Sequence, residues 1–214
     1  AGWYADTPDG FVFSVKAPRF ITHVRRLREV ETPVANFFAS GVLRLEDKLG
    51  PVLWQFPPSF RFDAEQFEHF LDLLPQDAEA ARACARQCDS TLRRKGSLEF
   101  SRDGPLRHAV EIRHRSFVAP AFVELLSRYR VALVVADTAG KWPYQEDLTS
   151  DFVYLRLHGD EELYASGYSA EALDRWAERI RHWTRGEQPA DARLIDAERR
   201  VARTPRDVYC YFDN

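Results

Sequence analysis

Six short runs of β-branched and aromatic residues recur along the chain, and nearly every polar group they carry sits at the carboxyl end. The runs are Phe11–Lys16, Pro51–Phe56, Arg107–Ile112, Val131–Ala136, Phe152–Leu157 and Asp207–Phe212. Each reads as a strand, and helical patterns lie between most of them. Thr32-Pro33 places an N-cap and a first-turn proline ahead of an apolar face running from Val34 through Phe37, Phe38 and Val42 to Leu45. Asp63 to Gln66 has capping-box spacing before Phe67, Phe70, Leu71 and Leu74. The Ala- and Arg-rich stretch 78–95 predicts a helix, as do the stretch opened by Pro120 and the stretch capped by Ser169. The polar, Pro-flanked segment 187–206 is read as a further helix. Strands alternating with helices predict a parallel sheet built from βαβ units. Two long insertions, 137–151 and 158–168, follow strands and therefore fall at the carboxyl end of that sheet.

Composition sets the outer bounds. A length of 214 residues suits one domain, with 45% hydrophobic residues for a core and 29% charged residues for solubility. The net charge of −3 argues against a wholly basic nucleic-acid coat, yet 26 of the 30 basic residues are Arg. A local Arg-lined cleft fits that bias, because guanidinium binds carboxylate and phosphate in a fixed, bidentate way. Three cysteines, at 84, 88 and 210, make no disulfide framework and point to a reducing, cytoplasmic setting. Cys84 and Cys88 read as small buried thiols in preference to a metal or redox pair. No apolar run approaches the roughly 20 residues of a membrane-spanning helix.

The strand ends carry the candidate site. In order they present Lys16, Gln55, Glu111 with Arg113 and His114, Asp137, Arg156 with His158, and Asp213 with Asn214. Side chains alternate along a strand, so Glu111 and Arg113 share a face, as do Arg156 and His158. In a barrel the inward groups at this end line the active site, and in an open doubly wound sheet the same end carries the ligand crevice. Pairs such as Arg113 with Glu111, or Arg156 with Asp137, would equally serve as ion pairs that close the structure without a ligand. His23, just past Lys16, either lines the rim or caps a short turn. His69, His108 and His182 read as surface or packing residues. His23, Glu111, His114, Asp137 and His158 are metal-ligand types, but their spacing matches no metal motif, so no metal is assigned. No glycine-rich phosphate loop, nucleophile elbow or HExxH sequence is present.

Six segments together resemble the YecE-like family, domain of unknown function 72. They are FVFSVKAPRFITH (11–23), KLGPVLWQFPPSF (48–60), AVEIRHRSF (109–117), ALVVADT (132–138), TSDFVYLRLHGDEELYASGYS (149–169) and DVYCYFDN (207–214). They run through the whole chain in the family's order. The resemblance implies a fold similar to a TIM (β/α)8 barrel and no established activity. Members of that family open with two further strands, so it implies that the six strands here correspond to the third to eighth of a barrel.

Two functional classes fit the residues. One is an enzyme acting on a small anionic substrate, a phosphate ester or sugar acid. Lys16, Gln55, Arg113, Arg156, His23 and Asn214 would then bind the substrate, Glu111 or Asp137 would act as general base, and His158 as general acid. The other is a nucleic-acid-binding or phosphodiester-processing protein. It would use Arg19, Arg25, Arg26 and Arg28 beside His23, with Trp142, Tyr144, Tyr164 and Tyr168 in the insertions. A non-catalytic ligand-binding barrel is the third option. The sequence assigns no cofactor.

Overall fold

The structure, a computed structural model, describes residues 2–93, 103–159 and 167–212. It is α/β, with six parallel strands that pair in chain order. That is the order of consecutive βα units in a barrel. The chain divides into two compact units, one of residues 1–55 and 63–108, the other of residues 56–62 and 109–214.

In the first unit β1 (Phe13–Lys16) pairs with β2 (Leu49–Gln55). Phe13 aligns with Leu49 and Val15 with Val52, so β2 carries one extra residue between these pairs. Gly50 makes that irregularity possible. A Cβ there would lie 2.4 Å from Val12 Cγ1 and 2.9 Å from the Phe13 carbonyl oxygen. Pairing starts at Phe13, and Phe11 and Val12, expected within the strand, stay outside it and exposed.

The helix expected after Thr32 runs from Glu31 to Ala39, with Val30 at its N-cap. Thr32 and Pro33 thus sit in the first turn, where a proline displaces no intrahelical donor. Gly41, at φ 104°, ends the α-helical course, and a 3₁₀ stretch, Val42–Lys48, buries Val42, Leu43 and Leu45. Asp63 caps the Ala64–Asp72 helix by accepting from the Gln66 N–H at 2.9 Å. Asp77 caps Ala78–Arg86 in the same way through Ala80. That helix is shorter than the 78–95 expected. Asp89 draws the Thr91 and Leu92 N–H groups to its own carboxylate and starts a separate turn, Ser90–Arg93. Residues 94 and 95 lie outside the described residues.

Trp54 of β2 is fully buried against Phe37, Phe70 and His108. Its indole N–H donates to His108 Nδ1 at 3.1 Å, and His108 Nε2 lies 2.7 Å from the Pro75 carbonyl oxygen. One side must be an acceptor and the other a donor, which fixes the neutral Nε2–H tautomer. Burial depresses the imidazole to about 4, against a smaller upward pull from the Pro75 carbonyl. The unfolded chain therefore takes up a proton near pH 6.5, which the folded chain refuses until about pH 4. Stability falls as pH drops through that window, by about 3 kcal/mol from this group. Urea unfolding at pH 7, 5.5 and 4 checks this. His108→Gln should flatten the pH dependence, and an unchanged slope would contradict the assignment.

The second unit holds β3 (His108–Glu111, from its second residue), β4 (Ala132–Asp137), β5 (Phe152–Leu157) and β6 (Asp207–Phe212). Val110 aligns with Leu133, Ala136 with Arg156, and Arg156 with Tyr211. One face of β4 and β5 carries Val135, Val153, Leu155 and Leu157. These residues cluster with Leu148 and with Trp176 and Trp183 of the Ala170–Thr184 helix. Ser169 caps that helix, as its position predicts. The opposite face carries Phe152 and Tyr154, set against Tyr209 and Tyr211 of β6. Pro120 starts the Pro120–Arg128 helix, which buries Phe122, Val123, Leu125 and Leu126.

No helix joins β4 to β5. The irregular return instead presents Glu146 and Asp147, both buried, to segment 187–206. Glu146 accepts from the Arg193 N–H and the Arg179 guanidinium. Asp147 accepts from the Ile195 and Asp196 N–H groups at 2.8 and 3.0 Å. Gln188 and Arg199 add bonds to the Glu146 and Leu148 carbonyls. Segment 187–206 is therefore not the helix expected, because the Arg193, Ile195 and Asp196 amides at its centre bond to buried carboxylates and not to carbonyls one turn back. Arg206 closes it, donating to the carbonyls of Ser150, Thr204 and Ala202. Among the described residues no helix is long and apolar enough to cross a membrane.

Candidate functional site

The strand-end residues fall in both units. Lys16 is exposed at the end of β1, Gln55 is buried at the end of β2, and His23 lies in the turn Phe20–Val24 with Nδ1 2.8 Å from the Thr22 hydroxyl. All three belong to the first unit. Arg25, in the same region, bonds to Glu29 and to the Arg28 carbonyl. Glu111, Arg113, Asp137, Arg156 and His158 belong to the second unit. Asn214, like Asp213 and Tyr164, lies outside the described residues.

In the second unit the structure gathers Glu111, Arg113 and Arg156. Glu111 is fully buried at the end of β3. Arg113, two residues on, donates from Nε to Glu111 Oε1 at 2.9 Å. Arg156, 8% exposed, donates from Nη1 to Glu111 Oε2. The register explains the approach: Arg156 lies beside Ala136, whose methyl group leaves the guanidinium room to reach across to β3. Burial alone would push the Glu111 carboxyl up. The Arg156 and Arg113 guanidiniums outweigh it and hold the group below the ordinary carboxylate range. Glu111 is therefore ionised, and both its oxygens accept from guanidinium. Such a carboxylate orients cations and is a poor proton acceptor. His158, fully buried, continues the alternation two residues beyond Arg156, and its backbone N–H donates to the Asp137 carbonyl at 2.9 Å.

Asp137 stands elsewhere. Its neighbour Ala136 shares the face of Arg156, whereas Asp137 aligns with Leu157 on the helix-facing side. The Tyr168 hydroxyl donates to Asp137 Oδ2 at 3.0 Å and accepts from the Gly159 N–H at 3.2 Å. Arg156 thus pairs with Glu111, and the β4 carboxylate organises the base of the insertion that follows β5. Strand parity read from the β4–β5 register would have separated the two carboxylates, but that register is not visible in one sequence.

A cleft of about 610 Å³ opens beside Arg113, lined among others by Arg115, Lys141, Trp142, Tyr144 and Arg193. Arg113 lies over the Trp142 ring at 5.5 Å, Lys141 over the same ring at 5.2 Å, and Arg193 over Tyr144 at 5.5 Å. Of these residues Arg113, Trp142 and Tyr144 stood out in the sequence. Arg115 and Lys141 gave a signal only by their neighbours, since they flank Arg113 and Trp142 at the ends of β3 and β4. His114 bonds to Ser116, capping the turn Arg115–Phe117. Burial pushes the Cys84 and Cys210 thiols up to about 11, away from thiolate chemistry. Among the described residues no three His, Cys, Asp or Glu side chains assemble into a metal site.

Parallel βα units with ionisable side chains at the carboxyl ends of their strands define an α/β protein of barrel-type strand order. The chain belongs to the family described as "Protein of unknown function DUF72", whose model matches residues 1–214. It is similar to the crystal structure of a DUF72 family protein from Thermotoga maritima MSB8, at 24% identity and TM-score 0.66, over 98% of this chain and 69% of that one. It is also similar to a DUF72 family protein from Enterococcus faecalis V583, at 17% identity and TM-score 0.62, over 99% of this chain and 74% of that one. At these identities the likeness concerns the fold. No curated protein matches the chain.

Proposed function

We propose that the protein is an enzyme acting on a small anionic substrate, phosphate- or carboxylate-bearing, held at the carboxyl ends of β3 and β5. The observation that carries this reading is the convergence of Arg113 and Arg156 on one buried, ionised carboxylate. A guanidinium offers five N–H donors in a fork, so one pair of arginines can serve Glu111 and a bound anion together. Glu111 positions the two cations. His158, next on the Arg156 face, is the acid–base group of the proposal. The reading places the protein in the cytoplasm, where its free cysteines would stay reduced.

The test is a titration of full chain and Arg156→Ala with inorganic phosphate and with sulfate, alongside urea unfolding of both. Wild type should bind both anions, and the variant should lose at least about tenfold in affinity, a loss of about 1.4 kcal/mol. Its stability loss should stay below that of a Glu111 variant, since Arg113 still faces the carboxylate. No affinity in wild type, together with a large stability loss in the variant, would make the trio structural and remove the enzyme reading.

A further inference from the structure

We propose that the ligand of this site carries two or more linked anionic groups, an organic pyrophosphate or bisphosphate, with the second group held in the cleft by Arg115, Lys141 and Arg193. The inference rests on the anion reading of the Arg113–Arg156 pair and extends it. Its basis is how the cleft orders its cations. Arg113, Lys141 and Arg193 are docked on the faces of Trp142 and Tyr144. An aromatic face attracts a cation through its quadrupole and fixes its position without cancelling its charge. A carboxylate would do both. The lining contains Arg113, Arg115, Lys141 and Arg193 and no Asp or Glu. Among the described residues Arg115, Lys141 and Arg193 form no ion pair. The chain as a whole is acidic, at −3, so this concavity departs from the average surface.

Solvated cations covering two half-buried rings would give the same contacts singly. They would not require four cations to face one concavity that begins at a guanidinium already tied to the buried carboxylate. The volume, about 610 Å³, lies within the range of small-molecule sites, roughly 300–1,000 Å³. Arg113 joins the two subsites, with its Nε on Glu111 and its guanidinium on Trp142. A linked pair of anions gains from such adjacency, because the second group binds without a second loss of translational freedom.

Calorimetric titration of the full chain with orthophosphate, pyrophosphate and tripolyphosphate is the experiment. Pyrophosphate should bind at least about tenfold tighter than orthophosphate, and the double variant Arg115→Ala/Lys141→Ala should erase the difference. Both side chains are exposed, and circular dichroism of the variant would verify its fold. Equal affinity for orthophosphate and pyrophosphate in wild type would overturn the inference and leave the one-anion reading standing. A preference that survives in the double variant would also overturn it, by placing the second group elsewhere. Failure of wild type to bind any of the three would remove the anion reading and this inference with it. A single-stranded oligonucleotide that binds far tighter than tripolyphosphate, with affinity falling steeply in salt, would replace the small polyanion with nucleic acid.

Discussion

Glu111→Ala is expected to lower the free energy of unfolding by about 3–5 kcal/mol, the cost of leaving buried charge without its partner. Arg113 and Arg156 both donate to that carboxylate, and Arg156 is 8% exposed. Without Glu111, two guanidiniums face each other in a poorly solvated space, with repulsion added to lost hydrogen bonds. Glu111→Gln keeps the shape and one acceptor oxygen but removes the charge, so it should recover only a minor part of the loss. The pH dependence has a definite sign. The folded carboxyl sits below its unfolded value, so its contribution is present above the ordinary carboxylate range and is lost as pH falls through the depressed folded value. Urea unfolding of wild type and both variants at pH 7 makes the comparison. A loss under about 1 kcal/mol, the scale of an exposed pair, would mean that water reaches the trio freely.

Asp147→Ala is expected to cost about as much for a different reason. The Asp147 carboxylate is 3% exposed and accepts from two backbone N–H groups, those of Ile195 and Asp196. Hydrogen bonds to a charged group are worth roughly 1.5–3 kcal/mol each, so losing both costs about 3–6 kcal/mol. The damage should be local. Hydrogen exchange in the variant should rise first at residues 193–199, with the β4–β5 amides affected less. Uniform exchange across the second unit would instead mean that the segment and the strands unfold as one.

Much of the fold was legible because its signals are local. Phe152–Leu157 and Asp207–Phe212 are strands at the residues expected, and Asp63 and Ser169 cap the helices they precede. What escaped depends on distant partners. The break after Arg86 is followed by Asp89, which is held by the Asn36 side chain more than fifty residues earlier while it caps its own turn. The missing helix in 187–206 comes from two carboxylates some fifty residues earlier. The site divides the same way. Alternation alone put Glu111 with Arg113 and Arg156 with His158, but the identity of the carboxylate opposite Arg156 depends on how β4 aligns with β5. Asp137 was an equal candidate until the register placed it beside Leu157.

The helix-free return from β4 to β5 also bears on how the second unit comes together during synthesis. A plain βα repeat closes its contacts within a few tens of residues, as soon as the next helix has formed. Here Glu146 and Asp147 meet their backbone N–H partners 47 to 49 residues later. As the chain leaves the ribosome, Glu146 can meet Arg179 first, 33 residues on, but Asp147 remains in water until Ile195 and Asp196 have been made. Closure over so long a separation is slow to nucleate, because loop entropy is lost before any contact is gained. The return from β4 to β5 is therefore fixed late, by segment 187–206, after the Ala170–Thr184 helix that covers the apolar back of β5 has been made.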